Sequence, residues 1–236
     1  MTEEHIAIKA KAEEYAKENK LKIAREKTSK EIYLPETNPV SVFMAGSPGA
    51  GKTESSRNLL KKFSDNGNNI IRIDPDELRE CFVDYKGSNS SLFHTAATFI
   101  VEKIHDLALH NKQSFIFDGT LSNFEKAKTN IQRSLDKKRF VQIYYVYQDP
   151  IQAWEFVKKR EEVEGRNIPR DRFIEQYFAA HDTVNALKRE FGKEIQVDLL
   201  VKNIDGSDKS YHANIDNVDN YVVEKYTRET LTDLIQ

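Results

Sequence analysis

Residues 46–53 of this chain are Gly46-Ser47-Pro48-Gly49-Ala50-Gly51-Lys52-Thr53. The stretch matches the phosphate-binding pattern G-x-x-x-x-G-K-[ST] at every fixed position. An apolar run at 40–45 precedes it and apolar residues at helical spacing follow it, so the loop is predicted to join a buried strand to a helix. In that setting, backbone N–H groups and the positive end of the helix surround a phosphate. The stretch therefore predicts a nucleotide site of the P-loop kind, with all eight residues as ATP-binding candidates.

Two side chains of the loop have separate predicted roles. Lys52 is expected to bridge the β- and γ-phosphates of ATP, and the Thr53 hydroxyl is the expected ligand of Mg²⁺. ATP and Mg²⁺ are therefore the nucleotide and the metal ion that the sequence predicts.

The bulk composition limits the classes of partner. The chain has 236 residues, a formal net charge of −2 and a single cysteine, Cys81. That length suffices for one domain with a buried core, and the small net charge gives no electrostatic case for a nucleic acid or an acidic membrane as partner. There is no second cysteine for an internal disulfide, no apolar run of membrane-spanning length and no visible signal peptide. We therefore expect a cytoplasmic protein with a small-molecule substrate.

Strand and helix patterns alternate along the rest of the chain. Strands are predicted at 69–73, 113–118, 140–147 and 195–201, and helices at 91–111, 124–135, 150–164 and 173–191. Such alternation is typical of a parallel sheet with right-handed crossovers. The expected fold is therefore an α/β P-loop NTPase of the nucleotide-kinase-like type, with a five-stranded parallel sheet flanked by helices.

The composition divides the chain into three parts. Residues 1–37 are rich in Glu and Lys and predict a charged N-terminal helical segment, which either packs on the domain or offers a docking surface. Residues 38–203 form the predicted P-loop kinase domain. Residues 204–236 are a predicted C-terminal extension packed on the same domain, with a turn at Asp205-Gly206 and a helix over 218–235.

Two aspartates follow the second predicted strand in the sequence Asp74-Pro75-Asp76. Pro75 suits the first position of a helix, so Asp74 is the expected N-cap, and Glu77 completes a capping-box pattern. Asp76 has no comparable structural role and lies at the carboxyl edge of the sheet, where ligands bind in open α/β folds. Asp76 is therefore the favoured catalytic carboxylate, and Asp74 remains the alternative.

Two further stretches carry candidate chemistry. The third strand ends in Asp118, which has the form of a Walker-B carboxylate, and Gly119-Thr120 follows it. Basic residues crowd the segment 158–172, which is either a solvated charged turn or a lid. In a lid, the planar guanidinium groups of Arg160 and Arg166 would lie over the transferring phosphoryl group.

The motifs favour a kinase over other P-loop proteins. The chain lacks the D-x-x-G glycine after Asp118, the N-K-x-D motif of GTPases and the L-S-G-G-Q signature of ABC-type ATPases. A kinase for a small acceptor requires an ATP loop, a carboxylate that takes the proton of the acceptor, and lid arginines, and each has a candidate here. A nucleic-acid kinase would need a basic groove, of which the net charge gives no hint.

Taken together, these motifs resemble the zeta toxin family, the kinase halves of bacterial toxin–antitoxin pairs. The resemblance covers residues 38–200 and rests on the P-loop, the Asp74-Pro75-Asp76 pair, Asp118-Gly119-Thr120 and the segment 158–172. The family moves the γ-phosphate of ATP to the 3′-hydroxyl of the amino sugar in a UDP-N-acetyl sugar. The resemblance therefore implies a kinase of that kind and an antitoxin protein as a partner.

The resemblance also implies roles for individual residues. Asp76 matches the general base of the family, and Arg160 and Arg166 match its two lid arginines. The positions that bind the substrate match Glu102, Asp118 and Thr120.

Two departures from the family pattern fall in the acceptor pocket. Asp118 stands where the family usually has Glu, and Ser122 stands where it often has Arg. Kinase activity is therefore better supported than the identity of the acceptor. The alternatives are a P-loop kinase for another nucleotide-like or antibiotic hydroxyl, and a non-catalytic interaction module gated by nucleotide.

Overall fold

The computed structural model describes residues 2–65, 67 and 69–235. Its strands are β1 (Val40–Ala45), β2 (Ile71–Ile73), β3 (Phe115–Phe117), β4 (Phe140–Tyr147), β5 (Gln196–Lys202) and β6 (Asp208–His212). Its α-helices are α1 (Glu3–Lys27), α2 (Lys52–Asp65), α3 (His94–His110), α4 (Phe124–Leu135), α5 (Pro150–Glu164), α6 (Arg170–Phe191) and α7 (Arg228–Leu234). No helix among these residues is long and apolar enough to cross a membrane.

The strands form one sheet in the order β2-β3-β1-β4-β5-β6. The first five are parallel, which confirms the predicted α/β class, whereas β6 pairs antiparallel with β5 and makes the sheet six-stranded rather than five-stranded. The sequence of β6, Asp208-Lys209-Ser210-Tyr211-His212, has no apolar alternation that would predict a strand. The strand forms because the predicted turn at Asp205-Gly206 folds the chain back along β5, with Gly206 at a φ of 87°.

The parallel topology places the ends of three strands at one edge of the sheet. The P-loop follows β1, Asp74 follows β2 and Asp118 follows β3. Because β1 lies between β3 and β4, the P-loop starts at the middle of this edge. The P-loop, Asp74 and Asp118 therefore meet at the carboxyl edge, where ligands bind in open α/β sheets.

The charged N-terminal segment is a single helix that packs on the domain. Its buried residues include three alanines, Ala12, Ala16 and Ala24, and it lies against α3. Small side chains allow the two helices to approach closely, and the long charged residues of α1 remain on its solvent side. The buried residues of this helix therefore form a packing face, whereas Ile6, Tyr15 and Leu21 on the same helix are exposed.

The C-terminal extension differs from its predicted form. Instead of one helix over 218–235, a short 3₁₀ turn lies at Val218–Asn220 and the helix α7 begins only at Arg228. Leu231 of α7 is buried in a second apolar cluster with Trp154 of α5 and Phe173 of α6. The extension therefore supports the two helices that flank the lid.

Candidate active site

The P-loop has backbone conformations that require glycine. Gly46 has a φ of 138° and Gly49 a φ of 76°, values that residues with a side chain rarely adopt. A Cβ atom at Gly46 would overlap the carbonyl group of Val146, and one at Gly49 would overlap that of Ala153. The loop therefore lies tightly between the end of β4 and the start of α5. These residues fit the nucleotide that the motif predicts.

Lys52 lies at the start of α2, where it reaches back across the loop. Its Nζ donates a hydrogen bond to the carbonyl oxygen of Ser47 at 2.6 Å. Burial lowers the pKa of Lys52 to about 8, and the negative charges of Asp118 and Asp76 offset this only in part. The lysine is therefore a cation that gains stability from a nearby anion.

Beside the P-loop lies a cavity of about 640 Å³, which we call the acceptor cavity. Four of the sequence-predicted site residues line it, namely Thr53, Asp76, Arg160 and Arg166. The other residues that line it are Lys27, Arg57, Asp74, Glu77, Glu80, Tyr85, Lys86, Gly87 and Glu164. The structure thus brings the P-loop threonine, the favoured carboxylate and both lid arginines around one space.

Asp76 is held by two arginines. Arg79 contacts its Oδ1 through Nη1 at 2.6 Å, and Arg166 contacts its Oδ2. Burial acts to raise the pKa of Asp76, but the positive charges of Arg166 and Arg79 outweigh it and bring that pKa below its ordinary value. Asp76 is therefore ionised at neutral pH, with one arginine on each carboxylate oxygen.

Asp74 and Asp118 share a third arginine, Arg72, whose side chain is only 8% exposed. Nη2 of Arg72 donates to Oδ2 of Asp74 at 2.5 Å and to Oδ2 of Asp118 at 2.7 Å. The same oxygen of Asp118 accepts a hydrogen bond from the Ser56 hydroxyl at 2.6 Å, which links the network to the P-loop helix α2. Both carboxylates thus share one buried cation, the Arg72 guanidinium group.

The environment of Asp74 differs from that of Asp76. Burial, with the negative charges of Asp76 and Asp118, raises the pKa of Asp74 to about 6, and Arg72 counteracts this only in part. The pKa values of these two neighbouring aspartates are therefore shifted in opposite directions, because Asp76 contacts two arginines whereas Asp74 shares Arg72 with Asp118.

The predicted capping box forms only in half. Oδ1 of Asp74 accepts a hydrogen bond from the backbone N–H of Asp76 at 2.8 Å, as a capping residue does. Glu77 does not complete the box, because its carboxylate contacts the guanidinium group of Arg72 instead. The following segment is a 3₁₀ helix, Glu77–Cys81, rather than an α-helix starting at Pro75.

The segment predicted as a lid is mostly helical, because only residues 165–169 form the connection between α5 and α6, and α6 begins three residues before its predicted start at 173. Gly165 ends α5 in the left-handed conformation, with a φ of 69°, and α6 starts at Arg170 directly after Pro169. The short connection between the two helices carries Arg166 to Asp76. At the end of α5, Nε of Arg160 donates to Glu164 at 2.7 Å.

Three predicted substrate residues do not line the acceptor cavity. Glu102 on α3 is exposed and lies 3.6 Å from Nζ of Lys126. The Thr120 hydroxyl is hydrogen-bonded to that of Ser122 at 2.9 Å, and its carbonyl oxygen accepts from the N–H of Gly46 at 3.2 Å. Asp118 is buried in the Arg72 network. A substrate role for Glu102, Thr120 or Asp118 stays a prediction.

The residues around the P-loop fit Mg²⁺ in a limited way. The described part of the chain holds no group of three or more His, Cys, Asp or Glu residues that could bind a metal ion. Thr53 lines the cavity, whereas one oxygen of Asp118 is engaged by Ser56 and Arg72. Mg²⁺ would therefore have the Thr53 hydroxyl as a ligand, together with phosphate oxygens and water, a coordination that this ion commonly adopts.

Several residues of the site are not among those predicted from the sequence. Arg79 could have been found, because it lies three residues after Asp76, at helical spacing. Arg72 could also have been suspected, because a charged residue inside a buried strand requires a partner. Lys27 at the end of α1 and Tyr85 in the loop after the 3₁₀ helix carry no local signal, since only the tertiary fold brings them to the cavity.

Comparison with known proteins identifies one matching family. The sequence model of the family described as "Zeta toxin" matches residues 23–216. A search of curated proteins returns no significant match.

Three solved structures illustrate the likeness of the fold. One, from the PezAT chromosomal toxin–antitoxin system of the human pathogen Streptococcus pneumoniae, has a TM-score of 0.62 and 17% identity over 100% of this chain and 88% of that chain. The AvrRxo1-ORF1:AvrRxo1-ORF2 structure with sulphate ions has a TM-score of 0.61 and 16% identity over 91% and 70%. The AvrRxo1-ORF1:-ORF2 structure with ATP has a TM-score of 0.58 and 16% identity over 88% and 65%. At such identities the likeness shows the fold alone.

Proposed function

This chain belongs to the zeta toxin family, whose members are P-loop kinases, and on that premise we propose that it transfers the γ-phosphoryl group of ATP to the 3′-hydroxyl of a UDP-N-acetyl sugar. One observation carries the proposal: Thr53 of the P-loop, Asp76 and the lid arginines Arg160 and Arg166 line the same cavity. A kinase needs this convergence, because phosphoryl transfer depends on positioning and on electrostatic stabilisation.

In the proposed reaction, Asp76 accepts the proton of the acceptor hydroxyl. The hydroxyl oxygen forms a new bond to the γ-phosphorus while the bond from that phosphorus to the bridging oxygen breaks, and ADP leaves. A lowered pKa suits Asp76 to this role, because the carboxylate is ionised at neutral pH and a loose transition state needs little help from a strong base.

The cations of the site divide the charge of the transferring group. Lys52 is expected to contact the β- and γ-phosphates, and Arg160 and Arg166 are expected to contact the moving phosphoryl group. Mg²⁺, when bound at Thr53, supplies further positive charge to the phosphate oxygens. Burial of Lys52 strengthens its interaction with an anion, because the local dielectric constant is lower than in water.

The partner and the compartment belong to the same proposal. An antitoxin protein is expected to bind this chain, since the PezAT structure with a similar fold is named for a toxin–antitoxin system. A kinase that uses ATP is expected to act in the cytoplasm.

A different acceptor is the main alternative. Asp118 and Ser122 depart from the usual family residues, and Thr120 and Glu102 lie outside the acceptor cavity. A P-loop kinase for another nucleotide-like or antibiotic hydroxyl would share the ATP site and the lid. A non-catalytic module gated by nucleotide would give Asp76 and its two arginines no function.

The test is an ATP-consumption assay with purified protein and a panel of nucleotide sugars, followed by phosphorus NMR of any product. We expect a new phosphomonoester on the amino sugar of UDP-N-acetylglucosamine, and none with the Lys52→Met variant. Transfer to a different acceptor would retain the kinase and refute the proposed substrate. Tight ATP binding without transfer to any acceptor would support the nucleotide-gated module.

A further inference from the structure

The two oxygens of the Asp76 carboxylate are engaged by arginines of different kinds. Arg79 lies in the 3₁₀ helix that starts directly after Asp76, three residues along the chain, so its contact with Oδ1 is local. Arg166 reaches Oδ2 from the connection between α5 and α6, which is distant in sequence. A local contact persists when the lid moves, whereas a contact made from the lid does not.

Arg79 is held more firmly than a surface arginine. Its side chain is 11% exposed, whereas the Asp76 side chain is 34% exposed toward the cavity. Its Nε is buried and has no hydrogen-bond partner among the residues that the structure describes. A buried N–H without a partner is unfavourable, because it has lost its hydrogen bonds to water. Stability alone therefore gives a poor account of an arginine at this position.

On the basis of the proposed function, we propose that Arg79 is a positioning residue for phosphoryl transfer: it holds Oδ1 of Asp76 and leaves Oδ2 to the acceptor hydroxyl. Arg166 leaves Oδ2 when it turns to the transferring phosphoryl group. Arg79 then remains the cation in contact with the carboxylate, and it fixes the plane of that carboxylate. Neither oxygen then has to be reoriented at the moment of transfer.

Several charged groups act on Asp76 besides Arg79. Arg166 and Arg160 approach from the lid side, Lys52 from the P-loop, Asp74 from the end of β2, and His94 from the start of α3. Burial acts to raise the pKa of Asp76, and the positive charges of Arg166, Arg79 and Arg160 act to lower it. Loss of the Arg79 charge therefore raises the pKa of Asp76, while Arg166 and Arg160 still act to lower it.

The experiment compares Arg79→Gln and Arg79→Lys in the full chain, with Arg133→Gln as the control. Arg133 pairs with Asp106 away from the acceptor cavity. For Arg79→Gln we expect kcat to fall by about 10- to 100-fold with KM for ATP unchanged, since orientation of the base is lost. The acidic limb of the pH–rate profile should move to higher pH by about one unit, because the base must be ionised to act. Arg133→Gln should match the unsubstituted chain in kcat, in KM for ATP and in the position of the acidic limb.

Arg79→Lys separates charge from geometry. Lysine keeps the positive charge but lacks the planar fork, so the acidic limb should stay in place while kcat remains reduced. This variant also tests the proposal should Arg79→Gln fail to fold. Full kcat in Arg79→Lys would overturn the orienting role.

A carbon NMR titration of the Asp76 carboxyl group gives a readout that is independent of catalysis. We expect its pKa to rise in Arg79→Gln and to stay unchanged in Arg133→Gln. The role of Arg79 would be refuted if the unsubstituted chain transferred phosphate normally and Arg79→Gln left both the pH–rate profile and the titration of the Asp76 carboxyl group unchanged. Absence of transfer by the unsubstituted chain would instead refute the proposed function.

Discussion

At the scale of single residues, Asp76 and Asp74 have different expected contributions to activity. Asp76→Asn should lower kcat by at least about 10²-fold, because the proposed proton acceptor is lost, with ATP affinity nearly unchanged. Asp74→Asn is the matched control, since it replaces the neighbouring carboxylate by the same amide and should retain most activity. Steady-state kinetics and ATP-binding calorimetry on both variants check this. The reverse result would make Asp74 the base.

Asp74 should also affect stability in a pH-dependent way. Its pKa is raised from 3.8 to about 6 in the folded protein, so its contribution is full below pH 4 and is lost as pH rises through 6. The loss is on the order of 2–3 kcal/mol. The amide of the Asp74→Asn variant cannot ionise. The unfolding free energy of this variant should therefore rise relative to that of the unsubstituted chain between pH 4 and 7. Denaturant unfolding at several pH values measures this difference, and parallel curves would contradict it.

The lowered pKa of Lys52 predicts that ATP binding depends on pH. Its pKa of about 8 in this structure should rise when phosphates lie beside it, so the complex binds a proton that the free protein has lost. ATP affinity should therefore fall above pH 8, by up to about tenfold per pH unit. Phosphate groups, with a second pKa of about 6, do not titrate in that range.

Calorimetry in buffers of different ionisation enthalpy detects the proton uptake that accompanies ATP binding. Lys52→Arg is the matched control, because its guanidinium group stays charged and its ATP affinity should be flat between pH 8 and 9. Equal pH dependence in both proteins would assign the effect to another group.

The site residues show which chemistry a sequence reveals. The P-loop could be predicted because its backbone geometry imposes glycine and lysine at fixed spacing. Arg72 could be suspected of needing a partner, but its ion pair with Asp118 could not be predicted, because that residue lies 46 positions away and only the sheet order brings the two together. A local pattern carries local contacts, and long-range ion pairs require the fold.

At the scale of elements, the lid meets the loop after the 3₁₀ helix at Gly87. This residue has a φ of 70°, and a Cβ atom there would lie 2.5 Å from the carbonyl oxygen of Glu164 at the end of α5. Gly87→Ala should therefore push the lid away from the opposite wall of the acceptor cavity. We expect KM for the acceptor to rise by about tenfold, with ATP affinity unchanged, because the P-loop lies outside this contact.

Gly67→Ala is the matched control for the backbone strain. Gly67 has a φ of 79°, and a Cβ atom there would meet nothing within 4 Å among the residues that the structure describes. Both variants carry the strain of an alanine at positive φ, but only Gly87→Ala carries the overlap. Equal effects of the two substitutions on the acceptor KM would show that strain, and not the lid contact, is responsible.

The sequence predicts correctly the bounds of strand β4 and of helices α4 and α5. The two helices begin directly after the capping residues Asn123 and Asp149, and β4 is a run of apolar and aromatic residues. Strand β6 escaped prediction because it depends on pairing with β5 rather than on its own sequence. The late start of α7 did leave a signal, since Thr227 and Thr230 form a capping box at its first turn.

At the scale of the whole molecule, the N-terminal segment is joined to the sheet by more than its helix. The buried side chain of Gln113, just before β3, donates to the carbonyl oxygens of Thr28 at 3.0 Å and Tyr33 at 2.6 Å. Nη2 of Arg139 in turn donates to the carbonyl oxygen of Gln113 at 2.6 Å. The chain after α1 is thus hydrogen-bonded into the edge of the sheet opposite the P-loop.

These contacts predict that α1 is an integral part of the domain and not a free docking arm. Ala16 is fully buried against the core, whereas Ala10 on the same helix is exposed. Ala16→Glu should therefore lower the unfolding free energy by about 3–5 kcal/mol, because a carboxylate would be buried without a partner. Ala10→Glu introduces the same charge at a solvent position and should change it by less than about 0.5 kcal/mol.

Denaturant unfolding of both variants, followed by far-UV circular dichroism, compares the two outcomes. If α1 served only to dock a partner, the two substitutions would have equal small effects on unfolding. The Ala16→Glu substitution should also disturb the active site, because Lys27 at the end of the same helix lines the acceptor cavity. Under conditions where Ala16→Glu remains folded, we therefore expect a raised KM for the acceptor and an unchanged affinity for ATP.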